Sequence, residues 1–173
     1  SLSAEDVYQL SDLESKNFFH GNLGYRGTLT LHMNDEVFPV FNLDSDLLGL
    51  AINVPDNLGK EKTDKENLDL SIKFLETGRR YDLRYKFLEG YLTVGNGDPK
   101  GHLRLNSTGS LFLSDPSKVV LSGNLDLFDF LDWNEFLKPY LEQSSAGSLL
   151  IEDLAIDRVQ IDEFQFTDVT VNG

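Results

Sequence analysis

The stretch Leu68-Asp69-Leu70-Ser71-Ile72-Lys73-Phe74, followed after the link Glu76-Thr77-Gly78-Arg79 by Arg80-Tyr81-Asp82-Leu83-Arg84-Tyr85-Lys86-Phe87, decides the fold. Successive side chains of a strand point to opposite faces. The first run therefore gathers Leu68, Leu70, Ile72 and Phe74 on one side. The second puts Tyr81, Leu83, Tyr85 and Phe87 opposite Arg80, Asp82, Arg84 and Lys86. The link has turn chemistry, so the pattern predicts a β-hairpin with one charged face and one apolar, aromatic face.

The same alternation continues outward in both directions. Towards the N-terminus, Tyr25 to His32 carries Leu29 and Leu31, and Val37 to Leu43 is a second run in which Pro39 marks an edge or a bulge. Leu48, Leu50, Ile52 and Val54 alternate with Leu47, Gly49, Ala51 and Asn53. Further strands are predicted at Tyr91–Val94, His102–Leu105, Leu111–Leu113 and Val119–Leu121, then at Leu149–Ile156 and Val159–Val171. The glycine-rich segment Gly95–Gly101 reads as a hairpin turn. Two segments read as helical. Ser3 is placed to cap a short helix ending near Leu13, and Phe130 to Leu141 puts Trp133, Phe136, Leu137, Tyr140 and Leu141 on one face with Pro139 in the final turn. The fold class that follows is mainly β, a curved and largely antiparallel sheet with one or two short helices. Residues 1–173 form one β-rich domain, expected to be a fragment of a longer chain.

Composition narrows the function classes. The 29 acidic residues against 15 basic ones give a net charge of −14, which repels phosphate backbones and excludes nucleic acid as a partner. Electrostatic docking to an anionic lipid surface is disfavoured for the same reason. The absence of cysteine removes disulfides, thiolate metal sites and thiol nucleophiles. No run approaches the roughly 20 apolar residues of a membrane-spanning helix.

The candidates for chemistry are few. His20, His32 and His102 lack metal-ligand spacing and read as turn or strand-surface residues. Asp44 and Asp46, two apart on one strand face, are the best pair of carboxylates for acid/base work, but near pairs arise by chance in so acidic a chain. Ser144-Ser145 lies in a polar stretch with no nucleophile motif, and Gly95–Gly101 is followed by a strand rather than the helix a phosphate cradle needs. Asn106-Ser107-Thr108 has the glycosylation pattern, meaningful only in a eukaryotic secretory route. No cofactor pattern is present, and the chain reads as non-catalytic. What remains is a surplus of apolar strand face. A closed sandwich and an open sheet holding something apolar need the same alternation, and the sandwich is the plainer of the two.

Phe41-Asn42-Leu43-Asp44-Ser45-Asp46-Leu47-Leu48-Gly49-Leu50-Ala51-Ile52-Asn53-Val54-Pro55, continued by Asp56-Asn57-Leu58-Gly59-Lys60, tips that balance. It resembles the "strand, Ser-Asp-Leu-x-Gly, alternating strand, Pro-x-x-Leu-x-Lys" segment of the YhdP family, in the AsmA-like superfamily of Gram-negative envelope proteins. Val120 to Leu127, running into Trp133 and its helix, is similar to that family's "strand, Gly-x-Leu, short acidic link, Trp-containing helix" element. The resemblance spans roughly Gly24 to Val171. The chain departs from the pattern at Asn57, where a second proline is expected, and around Glu89-Gly90, which lacks an Arg-Gly step.

The resemblance implies an open, groove-like sheet in a periplasmic segment of a protein anchored in the inner membrane and engaged in phospholipid transport and outer-membrane biogenesis. The partners it implies are phospholipid acyl chains and neighbouring β units of the same parent chain. On this reading Leu48, Leu50, Ile52, Leu70, Ile72, Tyr81, Leu83, Tyr85 and Phe87 line the groove, while Trp133 and Phe136 pack the helix on the sheet. The alternatives are a β-sandwich scaffold or protein-binding module, and a carbohydrate-active enzyme using Asp44 and Asp46.

Overall fold

The computed structural model describes residues 2–3, 18–31, 37–107, 117–141 and 149–172. The predicted helix ending near Leu13 (apart from Ser3), the strand at Leu111–Leu113, His32 and Ser144-Ser145 lie outside these residues. The described residues are mainly β, with a single α-helix. Three short strands, β1 (Leu2–Ser3), β2 (Phe19–Leu23) and β5 (Leu50–Ile52), form a small antiparallel sheet in the order β1-β2-β5. The other ten form one large sheet: β3 (Arg26–Thr30), β4 (Val40–Ser45), β6 (Leu68–Leu75), β7 (Gly78–Tyr85), β8 (Leu88–Gly95), β9 (Lys100–Leu105), β10 (Val119–Leu125), β11 (Phe128–Asp129), β12 (Leu149–Ile161) and β13 (Phe164–Val171). Its path runs β3-β4-β6-β7-β8-β9-β10-β12, with β13 and β11 both on β12, and it does not close on itself. Pairing is antiparallel from β3 to β9 and between β12 and β13, whereas β10 lies parallel to both β9 and β12.

The predicted hairpin is present with its alternation intact: Leu70 faces Leu83 and Ile72 faces Tyr81 across β6 and β7. Its end differs from the expectation. The strand stops at Tyr85, and Lys86-Phe87 forms a tight turn in which Lys86 takes φ 50°. Lys86 Nζ donates to the carbonyls of Asn57 (2.8 Å) and Gly59 (2.5 Å), which holds the turn without the Gly or Asn that usually signals one. The Leu48–Val54 alternation also resolves differently. Only Leu50–Ile52 is strand, Leu47-Leu48-Gly49 is a turn, and Leu47, Leu50, Ala51 and Ile52 are all buried. A two-fold rhythm in the sequence here reflects a buried turn followed by a three-residue strand.

The helix α1 (Phe130–Leu141) matches its predicted bounds. Asp129 caps it, its Oδ1 accepting the N–H groups of Leu131 (2.9 Å) and Asp132 (3.2 Å). Trp133 and Phe136 face inward, but Leu137, expected beside them, is exposed at the flank. The break expected between Ile156 and Val159 is absent: β12 runs through it to Ile161, and the chain turns back at Asp162-Glu163, inside the stretch expected to be one strand; β12 carries a bulge between Ile151 and Leu154 where Asp153 takes φ 47° and its N–H is capped by Asn172.

Candidate functional site: the apolar face of the large sheet

Register turns the alternation of single strands into rows that cross the sheet. On one face Leu43, Leu70, Leu83, Gly90, Leu103, Leu121 and Ile151 lie side by side on successive strands. A second row on that face runs Leu29, Phe41, Ile72, Tyr81, Leu92, Gly101 and Val119. A third runs Leu68, Tyr85, Leu88, Leu105, Gly123 and Leu154. No charged residue interrupts these rows. The opposite face is polar in the same orderly way. Arg26, Asp44, Asp69, Arg84, Glu89 and Arg104 are cross-strand neighbours in one line. Glu89 pairs with Arg84 (3.8 Å) and with the buried Arg104. Along β7 on the same face Arg80 holds Asp82 through Nη2 (2.8 Å) and Nε (3.1 Å) and lies 4.0 Å over the Tyr91 ring.

The small sheet packs over one end of the apolar face. Leu23, Leu47, Leu50 and Ile52 form one cluster with Tyr85, against which Leu68 and Leu83 also pack. Beyond this roof Leu70, Ile72, Tyr81, Leu92, Leu103 and Leu121 are half-buried. A second cluster, Leu105, Leu125, Leu154 and Ile156, lies towards the C-terminal strands with Leu58, Phe87 and Phe128 against it.

The roof is fastened by Lys60. Its side chain is buried, and Nζ donates to the carbonyls of Leu47 (3.0 Å), Leu50 (2.5 Å) and Glu61 (2.8 Å), so each ammonium proton has an acceptor. Burial holds its pKa below the usual lysine value. The turn it braces is tight: Leu47 takes φ 51° with 1% exposure, and its N–H is bonded to Ser45 Oγ at 3.0 Å. Tyr85, directly below, donates from its hydroxyl to Leu58 O at 2.9 Å, and burial pushes its pKa up to about 12.

Of the nine residues predicted to line a groove, five (Leu70, Ile72, Tyr81, Leu83 and Tyr85) are brought together on adjacent strands of this face. Leu50 and Ile52 belong to the roof, and Leu48 sits on its turn, 44% exposed. Phe87 leaves the row at the hairpin turn and packs in the second cluster. Sequence reasoning missed Phe41, Leu92, Leu103 and Leu121. Their strands were legible, but which face each shares is fixed by register, which alternation within one strand does not contain.

Asp44 and Asp46 do share a space, an open cavity of about 470 Å³ on the polar side that Asp69, Tyr25 and Arg26 also line. Asp46 accepts the Leu48 N–H and pairs with Lys65 at 3.4 Å, and these hold its carboxyl below the usual range. A group held ionised in this way is poorly suited to serve as a general acid. His102 Nε2 lies 2.7 Å from Ser122 Oγ on the polar face. Among the described residues no three acidic or histidine side chains converge to hold a metal ion, and no helix is long and apolar enough to cross a membrane. Compared with known proteins, the chain matches no family model, no curated protein and no solved structure.

Proposed function

We propose that this chain is a non-catalytic periplasmic segment of an intermembrane phospholipid-transport protein whose parent is anchored in the inner membrane, and that its apolar sheet face shields acyl chains in transit. The observation that carries this reading is the uninterrupted apolar surface over successive strands, half-buried beyond the roof and backed by a charged outer face. An acyl chain leaving a bilayer loses about 0.8 kcal/mol for each CH₂ exposed to water, so a continuous apolar floor lowers the barrier to movement. Leu, Ile and Tyr side chains offer contact without fixed anchors, which suits passage rather than tight retention. The resemblance to the YhdP family supports the same reading. The proposed lining is Leu70, Ile72, Tyr81 and Leu83, extended by Leu92, Leu103 and Leu121, while Tyr85 is buried under the roof and lies outside it. Neighbouring β units of the parent chain would continue it.

The test is site-specific photo-crosslinking of the full-length parent in cells labelled with radioactive phosphate. The crosslinker belongs at Ile72 and Tyr81, half-buried beyond the roof, with exposed Arg84 on the opposite face as control. Label at Ile72 and Tyr81 but not at Arg84 is the expected result. Protein adducts without label at the inner positions would sink the transport reading. They would favour a scaffold or protein-binding module instead, for which the two outermost strands speak. Among the described residues β3 and β13 are each paired on one side only, and β3 is exposed throughout.

A further inference from the structure

The loop that joins β8 to β9 carries the dipeptide Asn96-Gly97. Two asparagines of the chain precede a glycine, Asn96 and Asn172, and every other one precedes a larger residue. The ladder of β8 with β9 ends at the pair Thr93–Lys100, and its ladder with β7 ends at Gly95–Gly78. Residues 96–99 therefore lie beyond both, and all of them are exposed. Among the described residues no hydrogen bond engages the Asn96 carboxamide or the Gly97 N–H. A β-carbon placed on Gly97 meets nothing within 4 Å, so the loop has room to move. Asn172 is held differently. Its Oδ1 accepts the N–H of Asp153 at 2.9 Å, which fixes the side chain against the bulge of β12.

We propose that Asn96 is a site of spontaneous covalent modification, its carboxamide converted to a carboxylate by the neighbouring Gly97 nitrogen. That backbone nitrogen attacks Asn96 Cγ and gives up its proton, while the side-chain NH₂ takes up a proton and departs as ammonia. A cyclic imide remains, and water adds to one of its two carbonyls. Opening at Cγ yields aspartate with the main chain unchanged. Opening at the backbone carbonyl yields isoaspartate, in which the main chain runs through the side-chain carbon. Over the whole sequence water is consumed and ammonia released, and nothing is oxidised or reduced. The chemistry asks for a nucleophile without a β-carbon to crowd it, two reacting groups not already engaged, and a backbone free to fold onto the side chain. Asn96-Gly97 supplies all three.

Either product adds one negative charge to a chain that already carries −14. The isoaspartyl form also adds an atom to the main chain. The loop absorbs it, because the register of β8 on β9 is fixed by the pairs from Leu88–Leu105 to Thr93–Lys100, all outside the modified step. The modification thus marks the chain with charge while the sheet and its apolar face stay in place. It does not depend on the lipid reading.

The test incubates the folded chain in mildly alkaline buffer at physiological temperature, then digests it and follows the Asn96 and Asn172 peptides by mass spectrometry. Isoaspartate is counted with an isoaspartate-specific methyltransferase and a labelled methyl donor. Asn96 should convert roughly tenfold faster than Asn172, whose hydrogen bond must first break, and should give both aspartyl and isoaspartyl products. The far-ultraviolet circular dichroism should not change. Gly97→Ala should slow the conversion about tenfold, because its β-carbon meets nothing in the fold and is felt only as the ring closes. An Asn96 peptide that stays intact in the folded chain overturns the proposal, and conversion in urea alone would place the fault in the geometry of the loop. An Asn96 rate equal to that of Asn172, or unmoved by Gly97→Ala, overturns it too.

Discussion

Replacing Gly90 by alanine should weaken the large sheet at its middle, whereas the same change at Gly97 should do almost nothing. Gly90 lies in β8 with φ +156°, on the apolar face between Leu83 and Leu103. A Cβ built there would stand 2.0 Å from the carbonyl oxygen of His102 and 2.9 Å from Leu103 Cα, both backbone atoms of β9. Real Cβ contacts essentially never fall below 3.0 Å, so β8 and β9 would have to separate by about 1 Å. Ladder hydrogen bonds near 2.9 Å do not survive that displacement. Two backbone bonds lost in a half-buried sheet, at about 1–2 kcal/mol each, give a loss of about 2–4 kcal/mol, a large part of the 5–15 kcal/mol that holds a typical domain. For a chain of this size that is a fall in Tm of roughly 5–15 °C. Gly97, in the loop joining the same two strands, has nothing within 4 Å of its added Cβ. Gly97→Ala should stay within about 0.5 kcal/mol of the parent. Urea denaturation of the two variants, followed by far-ultraviolet circular dichroism, measures both numbers. A Gly90→Ala midpoint within error of Gly97→Ala would refute the claim that β8 and β9 approach too closely for any side chain.

Other expectations follow from the roof and its floor. Lys60→Met, which keeps the aliphatic stem but leaves the Leu47 and Leu50 carbonyls without their donor, should lower stability by about 1–3 kcal/mol, offset in part by relief of the buried charge; an unchanged urea midpoint would show that the amine is not the fastener. Because the Tyr85 pKa is raised in the fold, its contribution is complete below about pH 10 and is lost as pH rises through about 12, so the parent should lose stability across that window and Tyr85→Phe should lose less. A charge on the floor beyond the roof is predicted to act differently from one under it: Ile72→Glu should leave a folded chain that no longer takes phospholipid label at Tyr81, whereas Leu105→Glu, at 3% exposure, should not fold.

The sheet was legible because alternation is a property of each strand alone. The β6–β7 hairpin and the glycine-rich β8–β9 turn could be read directly, and α1 matched its expected bounds because the spacing of its apolar residues from Trp133 onward is helical, although its Asp129 cap was not read. Legibility failed where backbone conformation is set by partners distant in sequence. Nothing near Lys86 signals a turn, since what permits φ 50° there is a lysine reaching carbonyls 27 and 29 residues away. Leu47 at φ 51° depends in the same way on Lys60, 13 residues on. The parallel placement of β10 beside β9 and β12 was equally hidden, because crossover order leaves no mark on the alternation of the strands it joins.

The residues that carry the family resemblance and the residues that form the apolar floor are largely different sets. Ser45 and Asp46 fold the turn, Ser45 Oγ also donating to Gly24 O at 2.5 Å, and Leu47 plugs it. Gly49 donates to the Lys62 carbonyl and accepts from Asn22, which ties the turn to β2. Pro55 leads into the 3-10 turn that places Asp56 under Trp133 and Leu58 beside Tyr85, and Lys60 then returns to staple Leu47 and Leu50. The segment builds the cap over one end of the sheet, and its last residues also reach beyond the cap, the Asn57 and Gly59 carbonyls holding Lys86 in the β7–β8 turn and Asp56 holding Trp133 of α1. The floor has a looser specification: any apolar side chain at the right register serves it. A resemblance resting on this motif is therefore informative about how one end of the apolar face is closed and where α1 is seated. The contents of the open remainder must be established at Ile72 and Tyr81, where neither the motif nor the roof reaches.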